Sequence, residues 1–195
     1  MIRVVGIVCL CITANVAIGA EPYVKLSNRS SGTLITCPDG KVRVLTCAHG
    51  LDKAGATISV KFKNASWHEA TVARIDFDRD LALIEVEHWP ATRTPGIAKT
   101  CPESGDAHVI GWGKDILANR PTKILGYVTT TVAYKEKNLD PDKRRRLVRV
   151  DSVGRLGDSG GALVVKGQLV GVIISGDDKD AYAVPAEQIQ EFLEE

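Results

Sequence analysis

The sequence predicts an all-β protein of two antiparallel barrels closed by one C-terminal helix. Three observations point there. Short runs of alternating apolar residues recur along the chain, turn signals separate them, and a helical period emerges at the tail.

In the first half, strands are expected at 33–37, 41–47, 57–63, 70–75 and 81–86, with Asp39-Gly40 as the turn between the first two. Residues 87–96, which include Pro90 and Pro95, read as a connector. In the second half, strands are expected at 107–112, 123–132, 146–150, 162–165, 168–174 and 181–184, with Lys166-Gly167 as a hairpin turn. Pro185 suits the first turn of a helix over 186–195, whose Ile189, Phe192 and Leu193 share a face. No internal repeat is visible. The expected organisation is a signal peptide over 1–20 and one domain over 21–195. Within it, one barrel covers about 24–90, a second about 100–184, and the helix 186–195.

The start supports that division. Met1-Ile2-Arg3 precedes an apolar run over 4–12, and Ile18-Gly19-Ala20 is a small-residue cleavage site before Glu21. Thr13 and Asn15 interrupt the run before it could span a bilayer. A lipoprotein reading fails because Cys9 and Cys11 follow Val8 and Leu10 inside the apolar stretch. Secretion or export to a periplasm is therefore expected, with no stable membrane insertion after cleavage. Loss of Arg3 with residues 1–20 leaves 24 Lys+Arg against 24 Asp+Glu, so nothing in the charge calls for a nucleic-acid partner.

Of five cysteines, Cys37, Cys47 and Cys101 remain after residue 20. If the hairpin sets Cys37 opposite Val42, Cys47 lies roughly 17 Å up the ladder. A disulfide needs Cα atoms within about 7 Å, so no Cys37–Cys47 bridge is expected. A chain so poor in disulfide pairs fits a bacterial exported protein better than an animal secreted scaffold.

Chemistry concentrates at Gly157-Asp158-Ser159-Gly160-Gly161. Glycines let the backbone turn tightly and a substrate approach closely, and consecutive N–H groups there can face one developing oxyanion. The pattern also matches the nucleophile elbow, whose chain order is serine, acid, histidine. All four histidines, His49, His68, His88 and His108, precede Ser159, so that order is excluded. The orders His–Asp–Ser and Asp–His–Ser stay open. Leu45-Thr46-Cys47-Ala48-His49 is a strand ending in a histidine, and Asp80 stands at the mouth of an apolar run.

Six motifs follow in order: Ser31-Gly32-Thr33-Leu34-Ile35, Leu45 to His49, Asp80-Leu81-Ala82-Leu83, Gly111-Trp112-Gly113, Gly157 to Gly161, and Gly171 to Gly176. Together they resemble the trypsin/chymotrypsin-like serine proteases over nearly all the chain after residue 20. The resemblance implies two six-stranded chymotrypsin-like barrels. It implies a secreted endopeptidase with Ser159 as nucleophile, His49 as base and Asp80 orienting the base, and an oxyanion hole from the N–H groups of Gly157 and Ser159. It implies no cofactor, and protein or peptide substrates. Rival readings are a binding protein on this fold that has lost catalysis, and an esterase. Oligomeric state is not encoded legibly.

The other candidates carry less. His68, His88 and His108 read as satisfied strand residues, and no two histidines lie closer than 19 residues, so no local metal pair exists. Asp76, Asp78 and Asp80 suggest a calcium loop, but Leu81 occupies the position that needs glycine. Lys143-Arg144-Arg145-Arg146 reads as a solvated loop.

Three departures from the family matter. Residues 21–26 read Glu-Pro-Tyr-Val-Lys-Leu rather than Ile-Val-Gly-Gly, so Asp158 needs another partner than a new N-terminus. Val153 stands where trypsins keep an aspartate at the pocket floor, with Asp180 as a substitute acid nearby. The substrate-aligning strand reads Ile174-Ser175-Gly176. Backbone pairing to a peptide survives that change, while a side-chain contact to the acid is lost.

Overall fold

The structure is a computed structural model that describes residues 21–87, 93–131, 140 and 142–195. The expected signal peptide, His88 and part of the connector lie outside the described residues.

The first barrel holds β1 (Tyr23–Leu26), β2 (Ser31–Thr36), β3 (Val42–Thr46), β4 (Thr57–Phe62), β5 (Trp67–Asp76) and β6 (Leu81–Glu85). It closes in the order β1-β2-β3-β6-β5-β4. The second holds β7 (Gly105–Gly111), β8 (Ala118–Thr131), β9 (Arg144–Val150), β10 (Ala162–Val165), β11 (Gln168–Gly176) and β12 (Ala181–Pro185), and closes as β10-β11-β12-β9-β8-β7. Helix α1 (Ala186–Glu194) follows. Closure leaves no sheet edge to template aggregation. No helix among the described residues is long and apolar enough to cross a membrane.

Alternation builds the cores. In β4 the inward residues Ile58, Val60 and Phe62 are buried, and they meet Val24, Leu26, Val44 and Ala82 inside the first barrel. A separate core fills the space between barrels: Ile35, Leu45 and Leu81 from the first meet Leu147, Ile174 and Val184 from the second, with Ile189 and Phe192 of α1. This shared core brings together the ends of β3, β6 and β11, where the chemistry lies.

Local details correct three expectations. β1 was not foreseen from pattern; at four residues it is too short to show alternation, yet it pairs with both β2 and β4 and closes the barrel. The β2–β3 hairpin pairs Thr36 with Val42, so Cys37 faces Lys41 instead, and its N–H donates to the Lys41 carbonyl at 2.8 Å. Gly40, at φ 78°, absorbs the extra residue of that turn. Pro185 is extended, ends β12 and stands just before α1 rather than entering it. Cys37, Cys47 and Cys101 are free and buried.

Candidate active site

Asp80 directly precedes β6 in a left-handed conformation, φ 59°, and is fully buried. One carboxylate oxygen accepts the N–H groups of Ala48 at 2.9 Å and His49 at 2.7 Å. The other lies 2.7 Å from His49 Nδ1. A carboxylate accepts from Nδ1–H, which leaves the other ring nitrogen as the basic one. Burial disfavours the imidazolium of His49, but the Cys47 sulfur and the Asp80 carboxylate more than offset it, so the pKa lies well above the ordinary imidazole value. Cys47 sits two residues before His49, and its thiol reaches the His49 carbonyl at 3.8 Å.

Ser159 rides on a turn fixed from both barrels. Its carbonyl accepts the Ser31 N–H at 2.7 Å, and the Ser31 carbonyl accepts the Thr46 hydroxyl at 2.6 Å. Ser31 therefore links the Ser159 turn to the strand that delivers His49. Gly160 has φ 82°, and a Cβ there would collide with the Ser31 carbonyl and the Thr46 hydroxyl, so only glycine fits. The Ser159 hydroxyl lies 3.5 Å from the Ile174 carbonyl, at the weak limit of hydrogen bonding. Gly157 has φ 98°, and the Leu156 carbonyl accepts the Lys114 N–H at 2.9 Å. That bond fixes the plane of the Leu156–Gly157 peptide, and hence the direction of the Gly157 N–H.

Beside Ser159, the Asp158 carboxylate is buried and accepts Arg120 Nη2 at 2.6 Å and the Arg155 N–H at 3.1 Å. The need for a partner was legible; Arg120 was not, because nothing local marks one arginine on β8 as inward-reaching.

A cavity of about 270 Å³ opens next to Ser159, with Gly154, Arg155, Leu156, Ile174, Ser175 and Gly176 in its lining. Val153 and Asp180 are outside that lining. Val153 is exposed, and Asp180 faces Arg149 at 3.9 Å and joins the 177–180 turn. The acidic floor considered at Asp180 is therefore not formed. Ile174 is fully buried in the core between barrels, which is why an apolar residue stands there.

The basic run is not a solvated loop. Arg144 to Arg146 open β9, where Arg145 is buried and bonds to the carbonyls of Phe77 and Asp78. Arg146 stacks on Tyr127 at 3.8 Å and pairs with Glu187 of α1 at 2.9 Å, while Lys143 pairs with Asp78 at 2.6 Å. Asp76 caps its own turn, accepting the Asp78 and Arg79 N–H groups. His68 meets Phe62 edge-on, and His108 bonds Asn119 at 2.7 Å.

Two closed six-stranded barrels with the cleft between them are the architecture of the chymotrypsin-like proteases. The chain belongs to the trypsin-like peptidase domain family, whose model matches residues 31–172. It is 27% identical to serine protease HTR4 of Rattus norvegicus, over 87% of this chain and 34% of that protein. It is 30% identical to putative serine protease HhoB of Synechocystis, over 85% of this chain and 40% of that protein. The chain thus spans 34% to 40% of the length of these two curated relatives. Among solved structures, the active form of the Rv3671c protease from M. tuberculosis superposes with TM-score 0.73 at 26% identity, covering 90% of this chain and 81% of that one. The MamO protease domain of Magnetospirillum magneticum shares the fold at TM-score 0.71 and 19% identity, covering 90% and 97%.

Proposed function

We propose that the protein is an exported serine endopeptidase that hydrolyses peptide bonds through an acyl-enzyme on Ser159. The reading rests chiefly on one observation: a fully buried Asp80 holds His49 Nδ1 at 2.7 Å while two backbone N–H groups fix its other oxygen.

In this mechanism His49 takes the Ser159 proton as the hydroxyl attacks the scissile carbonyl. Asp80 stabilises the imidazolium so formed and does not itself take the proton. The N–H groups of Gly157 and Ser159 receive the oxyanion, a role in which one donor is worth about 3–4 kcal/mol. His49 then gives its proton to the leaving amine, and water repeats the sequence to release the acyl group. An extended peptide would pair with the backbone of Ser175 and Gly176 beside the cavity. Export rests on residues 1–20, with cleavage after Ala20.

A fluorophosphonate reagent tests the nucleophile. Wild type should be labelled, and Ser159→Ala should not be. An unlabelled wild type would instead favour a binding protein on this fold, and labelling without peptide cleavage would favour an esterase.

A further inference from the structure

Arg145 is a buried cation to which the proposed reaction assigns no role. It shares the inward face of β9 with Leu147, part of the core between barrels, and only 5% of it is exposed. Its Nε donates to the Asp78 carbonyl at 3.1 Å, Nη2 to the Phe77 carbonyl at 3.2 Å, and Nη1 to the Lys143 carbonyl at 3.4 Å. Among the described residues no carboxylate lies within ion-pair distance of it. A buried charge is costly unless paired, and here the whole guanidinium fork is spent on main-chain carbonyls.

Two of those carbonyls, of Phe77 and Asp78, belong to the segment that ends in Asp80. Asp80 is left-handed at φ 59°, a conformation that persists in a non-glycine residue only where its surroundings over-determine it. Other ties hold the segment as well. Asp76 caps the turn, Lys143 pairs with Asp78 at 2.6 Å, and Arg79 joins Asp76 and Glu195. The charges of Asp78 and Glu195 are well exposed, and water and salt weaken such pairs. Arg145 reaches the segment from the other barrel with its head group out of water.

We propose that Arg145 is a positioning residue for the Asp80 carboxylate. From the second barrel it clamps the Phe77 and Asp78 carbonyls, and so fixes the acid against His49. The inference rests on the serine-hydrolase reading above.

The test compares Arg145→Met, Arg145→Lys and Arg146→Met with wild type. Arg146 serves as control because it grips Glu187 on α1, not the acid segment. The first readout is the second-order rate of fluorophosphonate labelling across pH. The second is amide exchange at Ala48 and His49, whose N–H groups bond Asp80. Arg145→Met should label roughly tenfold more slowly or worse, and Arg145→Lys should recover part of that loss. Its acid limb should move toward the ordinary imidazole value as the carboxylate loosens. Exchange at Ala48 and His49 should quicken in Arg145→Met and stay at the wild-type rate in Arg146→Met. Wild-type labelling in Arg145→Met, equal losses in both methionine variants, or unchanged exchange at Ala48 and His49 would each overturn the clamp. If wild type itself proves unreactive, the hydrolase reading falls, and the exchange comparison still decides whether Arg145 holds the acid segment.

Discussion

Arg120 Nη2 lies 2.6 Å from Asp158 Oδ2, and both side chains are largely withdrawn from water. Asp158 sits immediately before Ser159, so this pair fixes the turn that presents the hydroxyl. The resemblance to the trypsin/chymotrypsin-like proteases led to the expectation of a new terminal ammonium or another partner for that aspartate. Here the ammonium's role falls to a side chain on β8, while residues 23–26 are committed to β1, paired on both sides. A serine protease built this way would need no freed terminus to partner Asp158.

Removing the cation strands a buried carboxylate. Arg120→Met should cost about 3–5 kcal/mol, the usual consequence of breaking a buried pair from one side. Urea unfolding measures that loss, and fluorophosphonate labelling of Ser159 should fall with it. Conversely, a short polar extension placed before Glu21 should leave labelling intact. Loss of labelling on extension alone would show that a free terminus matters after all.

The pocket beside Ser159 is expected to favour small aliphatic side chains over basic ones. Two lining segments pack closely together: the Gly154 N–H donates to the Asp177 carbonyl at 2.8 Å, and a Cβ on Gly154 would fall 2.7 Å from Gly176 Cα. Arg155 in the lining repels a cation, and the one carboxylate there, Asp158, is already paired with Arg120. One or two methylenes of misfit are worth about 1–3 kcal/mol, so a peptide library should rank Ala or Val above Lys or Arg by roughly tenfold or more. Equal cleavage after Lys would mean that the walls part when substrate binds.

What the sequence made legible was local. Gly157 to Gly161, Leu45 to His49 and Asp80 each carry their meaning within a few residues, because a turn, a strand end and an apolar run are short-range patterns. Eleven of the twelve strands among the described residues announced themselves in the same way; β1, at four residues, did not. The contacts between residues distant in sequence stayed hidden. Arg120 and Arg145 lie 38 and about 67 residues from their partners, and charge pattern alone cannot say which arginine of a basic run turns inward. Local reading treated residues 143–146 as solvated for that reason, although strand alternation places Arg145 on the buried face beside Leu147.

The pH dependence follows from His49. The reaction needs its neutral ring, and the Cys47 sulfur and Asp80 hold its pKa above the ordinary value despite burial. The acid limb of the labelling rate should therefore lie above about pH 6.5, the unperturbed imidazole value. Two variants locate the cause. Asp80→Asn removes the carboxylate, so the limb should move down in pH while the limiting rate drops by orders of magnitude. Cys47→Ala keeps the carboxylate, so the limb should also move down, but with the limiting rate largely retained. Stability carries the opposite sign. A pKa raised in the folded state favours folding fully below the unfolded imidazole value, and that contribution disappears as pH climbs through the folded pKa. Wild type should accordingly lose stability relative to His49→Ala over that window, measured by urea midpoints at a series of pH values. A flat difference across it would mean that the imidazole in the folded protein titrates as it does in water, and that neither Cys47 nor Asp80 biases it.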